Sequence, residues 1–68
     1  MTTYNTYRVK SSQTVQLPKE ISNCVIIEKH KEYTDYKVDR SLCFCGLITM
    51  SLSDFLHENF NHVELVKS

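Results

Sequence analysis

Odd-numbered positions between residues 7 and 17 read Tyr7, Val9, Ser11, Gln13, Val15 and Leu17, while every even position from 6 to 16 is polar. That period of two predicts a strand with one wet face. The polar patch Ser11-Ser12-Gln13 marks a hairpin tip or an unpaired stretch, and Pro18 bars continuation as a central strand. Next comes Cys24-Val25-Ile26-Ile27, a β-branched run read as a second strand. A competing reading starts a helix at Pro18 and sets Leu17, Ile21, Cys24, Val25 and Glu28 on one face. Residues 31–35 then read as a turn, and Tyr36 opens a third strand.

In that third segment the even positions are Tyr36, Val38, Arg40, Leu42, Phe44, Gly46, Ile48 and Met50. Its odd face begins polar with Lys37, Asp39 and Ser41, then turns apolar at Cys43, Cys45 and Leu47. The pattern predicts one strand over 36–50, hydrophobic on both faces in its second half and bent or bulged at Gly46. A helix is expected from Ser51, which can cap it, with Asp54 as an acidic variant of the capping box and Met50 stapled onto Phe55. Leu52, Phe55, Leu56 and Phe60 form its apolar face, Ser53, Asp54, Glu58 and Asn61 its wet one, and Asn59 or Asn61 ends it. Residues 62–66 read as a short last strand. The expected order is β-β-β-α-β. It describes an α+β fold, a small antiparallel sheet of three to four strands with one C-terminal-half helix, in a single small domain over residues 1–68.

Composition narrows the function. Eight Lys+Arg balance eight Asp+Glu, so no net field draws the chain to phosphate backbones or acidic lipid. A single Gly excludes a Gly-rich phosphate cradle. The start of the chain lacks the basic and apolar segments of a secretory signal, and the longest apolar-rich run, residues 42–50, falls far short of the roughly 20 residues of a membrane span. Three cysteines cannot close a disulfide framework. Reduced thiols and a cytoplasmic location, the host's if the protein is viral, are expected, with no membrane partner.

Candidate chemistry is sparse. Cys43 and Cys45, with His30, His57, His62 and Cys24, could supply metal ligands, but their spacing makes a poor zinc knuckle, so neither metal nor cofactor is expected. No nucleophile–base spacing or cofactor loop supports a reaction, and the chain reads as non-enzymatic. Tyr4, Tyr7, Tyr33, Tyr36 and Phe44 could stack bases as a small OB-like single-stranded nucleic-acid-binding protein would. The basic residues that such a groove needs alternate here with Glu28, Glu32, Asp35 and Asp39, so direct nucleic-acid binding is not the leading reading. A zinc-stabilised module is a further alternative.

Burial gives the stronger argument. One helix covers one sheet face, yet Cys43, Cys45 and Leu47 face away from Leu42, Phe44 and Ile48 on the expected strand. Either the N-terminal strand folds over that second face or a second chain covers it, which predicts a protein-binding module and a two-fold homodimer through Cys43, Cys45 and Leu47.

Two segments add a family likeness. Ser51-Leu52-Ser53-Asp54-Phe55 and Lys31-Glu32-Tyr33-Thr34-Asp35-Tyr36 resemble the corresponding runs of small phage-encoded uracil-DNA glycosylase inhibitors of Bacillus phages. The resemblance implies a dimeric inhibitor seated in the DNA-binding groove of a host enzyme that acts on DNA. It singles out Tyr33, Tyr36 and Phe55 as contact residues.

Overall fold

The computed structural model describes residues 3–11 and 13–66. Strand β1 (Tyr4–Val9) leads into a single helical turn, α1 (Lys19–Ser22), then strands β2 (Val25–Lys29) and β3 (Thr34–Asp39), helix α2 (Cys45–Asn59) and strand β4 (Val63–Val66). The sheet order is β2-β3-β1-β4, with every neighbouring pair antiparallel. This is the α+β arrangement expected from the pattern. With α1 counted, the order becomes β-α-β-β-α-β, the split β-α-β topology in which β1 and β2 run parallel with β3 between them.

Strand register sorts the side chains onto two faces. Tyr7 pairs with Tyr36, Val9 with Thr34 and Val25 with Val38, which puts the apolar set on one side. Helix α2 lies on that side, fastened by Ile48, Leu52 and Leu56 in one core with Val9, Val25, Tyr36 and Val38. Asn5 donates from Nδ2 to Thr49 Oγ1 at 3.1 Å, tying β1 to the helix. Each large side chain buried in this core contributes roughly 1.5–3 kcal/mol before entropy is counted. The other sheet face carries no helix and presents Arg8, Glu28, Asp35, Lys37 and Glu64.

Three expectations are corrected. The first strand stops at Val9 rather than reaching Leu17. Beyond it, Thr34 Oγ1 donates to the Ser11 carbonyl at 2.8 Å, and Leu17 and Ile21 drop into the core, so the helix and strand readings of residues 18–27 each hold for part of the segment. Ser12 of the polar patch lies outside the described residues.

The second correction is larger: no strand spans 36–50. Strand β3 ends at Asp39, whose Oδ1 accepts the Ser41 N–H at 2.8 Å, while the Asp39 carbonyl accepts the Leu42 N–H at 3.3 Å. A side chain that captures the backbone two residues on turns the chain out of the sheet. The Ser41 backbone N–H, and after it the Ser41 hydroxyl, hold the Asp39 carboxyl below its usual pKa.

Third, α2 begins at Cys45 and not at Ser51. Cys45, Ile48, Leu52, Phe55 and Leu56 face the core at helical spacing, and Gly46 lies in the first turn of the helix instead of at a strand bulge. Phe44 stands at the N-cap with no side-chain cap, and Ser51 is an exposed interior position. The helix ends at Asn59, one of its two expected ends, where Asn59 Nδ2 donates to the Phe55 carbonyl at 2.8 Å.

Candidate functional site

Strand register assembles the open face. Glu28, Asp35, Arg8 and Glu64 stand opposite one another across the four strands. Arg8 grips Asp35 with two hydrogen bonds, Nε to Oδ1 at 2.9 Å and Nη2 to Oδ2 at 3.2 Å. The same guanidinium lies over the Tyr33 ring, 4.1 Å from its centroid. Tyr33 in turn stacks on His30 with centroids 4.4 Å apart. Under this cover Asp35 is only 5% exposed, although its face carries no helix. One strand over, Lys37 Nζ sits 2.9 Å from Glu28 Oε2.

The central charges of this face are paired. Donating to the Asp35 carboxylate raises the pKa of Arg8, and donating to the Glu28 carboxylate raises the pKa of Lys37. At the β4 edge, His62 approaches Glu64 at 3.2 Å and holds that carboxyl below its usual range. A face with its charges paired off offers little free field to a polyanion.

Glu28, His30 and Asp35 bring one ligand atom each within 4.8 Å of the others, the one such grouping of three or more among the described residues. Its donors are already engaged. Arg8 holds both oxygens of Asp35, and Lys37 holds the Glu28 oxygen that faces His30 at 3.9 Å. A divalent cation would have to displace two paired cations, so the donor set suits an ion-pair network better than a metal.

The second surface is the outer flank of α2. Phe44 is 67% exposed and Leu47 and Met50 are each 64% exposed. Leu47 and Met50, three apart on the helix, are neighbours, and Phe44 stands exposed at the N-cap ahead of them, so the start of α2 presents an apolar flank. Exposed Cys43 precedes it, and exposed Ser51, Asp54 and Glu58 continue it toward the C-terminus.

The residues singled out from the sequence divide between these surfaces and the core. Tyr33 is half-buried in the open-face cluster, whereas Leu47 lies on the α2 flank with Cys43 at its head. Cys45 and Phe55 are half-buried and pack inward against the core, as does Cys24. Tyr36 is a correction: at 0% exposure it is a core residue and presents nothing to a partner. Burial raises its phenol pKa, weakly opposed by the Val15 backbone N–H, and its hydroxyl makes no well-formed hydrogen bond. Tyr7 shares its face, so the stacking platform that Tyr4, Tyr7, Tyr33, Tyr36 and Phe44 could have offered under the nucleic-acid alternative does not assemble.

Sequence reading missed Arg8, His30 and Asp35 as one cluster, and Phe44 and Met50 as companions of Leu47. Only strand register joins the first set; the second was visible as an i, i+3, i+6 apolar series. The segment Ser51–Phe55 sits in mid-helix, and the strand-to-helix junction lies at residues 40–44 instead. No family model, curated protein or solved structure matches the chain.

Proposed function

We propose that the protein is a non-enzymatic protein-binding module whose contact surface is the outer flank of α2. The observation that supports this is the apolar flank of Phe44, Leu47 and Met50, three large apolar side chains left in solvent by a protein of 8.0 kDa. Scattered apolar residues on a surface are ordinary, but a contiguous apolar flank is a contact surface in waiting. Among the described residues, none covers it. The resemblance of residues 31–36 and 51–55 to phage uracil-DNA glycosylase inhibitors supports a host enzyme acting on DNA as the partner. The host cytoplasm is then the place of action, and Tyr33 is the one exposed-face aromatic within the resembling segments. Self-association as a homodimer belongs to the same reading.

Two measurements test it. Immobilised protein should retain a protein from bacterial lysate that Phe44→Ser/Leu47→Ser/Met50→Ser releases; identical retention by both would contradict the assigned surface. Added in molar excess to a bacterial uracil-excision assay, the protein should suppress excision. Unchanged excision removes the inhibitor reading and leaves the module reading to the capture experiment.

A further inference from the structure

We infer that the outer edge of β2 is a further binding surface, separate from the α2 flank, and that it takes an extended segment of another protein as a fifth strand. Strand β2 closes one end of the sheet, with β3 as its single neighbour. Two hydrogen bonds fix which of its backbone groups are engaged. The His30 N–H donates to the Tyr33 carbonyl at 2.8 Å, in the pair that follows Lys29 and Thr34 in the register. Bonded pairs alternate along an antiparallel ladder, so Glu28 and Ile26 also turn their N–H and C=O toward β3. Across β3, the Arg40 N–H donates to the Thr3 carbonyl at 2.9 Å, which directs Val38 and Tyr36 toward β1 and gives the same phase. Val25, Ile27 and Lys29 therefore aim their backbone groups out of the sheet. Among the described residues, no strand, turn or cap takes them up.

Such a row is a template for one more strand, and its side chains select which. Ile26 is 47% exposed on the open face and Ile27 42% exposed on the helix side, so both flanks of the edge are apolar. Lys29 follows Ile27 on the helix side, exposed, and among the described residues it enters no ion pair. The matching segment carries a carboxylate beside Lys29 and β-branched residues beside Ile27 and Ile26. A second copy of β2 is a poor match. Antiparallel pairing centred on Ile27 sets Lys29 against Val25 and Glu28 against Ile26. Centring it on Glu28 opposes two carboxylates, and centring it on Ile26 pairs only residues 25–27 of the strand.

Fluorescence anisotropy of the peptide Glu-Thr-Val-Val-Val-Thr, labelled at its C-terminus and titrated with the full chain, tests the pairing. In the antiparallel register its Glu meets Lys29, its first Val meets Ile27 and its third meets Val25. The expected result is saturable binding. N-methylation of the first Val, whose N–H faces β2, should weaken it about tenfold; N-methylation of the second, whose N–H faces away, should change it by less than about twofold. Ile27→Pro removes an outward donor and leaves the β2–β3 ladder whole, so circular dichroism should show the fold intact while peptide binding falls about tenfold or more. Lys29→Glu should weaken binding about threefold, and replacing the peptide's Glu by Lys should restore it. That charge swap and the two N-methyl peptides decide the matter even if Ile27→Pro fails to fold. Absence of saturable binding up to millimolar protein overturns the inference, and so do equal losses from the two N-methyl peptides. Self-association that Ile27→Pro abolishes would give the edge to a second copy and overturn it as well.

Discussion

On the open sheet face most exposed side chains are charged, with Ile26 an apolar exception, and the central charges are matched: Arg8 with Asp35 and Lys37 with Glu28. On the outer flank of α2, Phe44, Leu47 and Met50 stand exposed, and among the described residues none covers them. A surface that looks chemically rich can thus be internally satisfied, while a chemically plain one is left incomplete. Asp35 makes the contrast sharp, since a carboxylate on a helix-free face is nearly buried by Arg8 and its neighbours, whereas Leu47 on a helix above the core is not. Unsatisfied surface, rather than the number of charged or aromatic residues, points to the site of association.

The contrast within α2 should produce the largest effect. Leu52 is fully buried, so Leu52→Ala should cost about 2–5 kcal/mol by urea denaturation, while Leu47→Ala at concentrations below dimerisation should stay within about 0.5 kcal/mol. Equal losses at the two positions would mean that the flank belongs to the core. On the sheet, Arg8→Ala strands the near-buried Asp35 carboxylate and should lower the melting temperature clearly. Arg8→Met combined with Asp35→Leu should recover much of that loss. A melting temperature unmoved by Arg8→Ala would show the network to be surface decoration.

Ser51 supplies a smaller and signed test. As a cap its replacement by Ala would cost about 1 kcal/mol, but in an exposed helix interior it should add a few tenths, about 0.5 kcal/mol at most. The smallest effect concerns Asp39. Its carboxyl is held below the usual range by the Ser41 turn, so the folded state resists protonation more than the unfolded one. Its stabilising share is present above the unfolded carboxylate pKa, near 4, and is lost as pH falls through the lower folded value. Melting temperature should therefore fall less steeply on acidification in Asp39→Asn than in wild type; parallel curves would contradict the turn's role.

Much of the fold was legible in the sequence. Val25-Ile26-Ile27 marked the second strand, residues 62–66 the last one, and Leu52, Phe55 and Leu56 the inner side of the helix. Residues 40–50 misled because a run apolar at nearly every position satisfies a period of two and of 3.6 alike. The deciding signal was Asp39-Arg40-Ser41, a polar stop whose Asp39 and Ser41 were read as the wet face of a longer strand and whose Arg40 was read on its other face. Tyr36 could have been placed in the core, since it shares its strand face with Val38. The Arg8–Asp35–Tyr33–His30 cluster could not be read, because its members come from β1, β3 and the turn before it, and only the observed register unites them.

The account's central claim is that association uses the α2 flank and leaves the charged face free. Backbone amide NMR shifts followed through a dilution series test this directly. Concentration-dependent shifts should cluster at residues 43–54, with Arg8, Glu28, Asp35 and Lys37 unmoved. Shifts confined to the sheet face, or none anywhere up to millimolar protein, would contradict it.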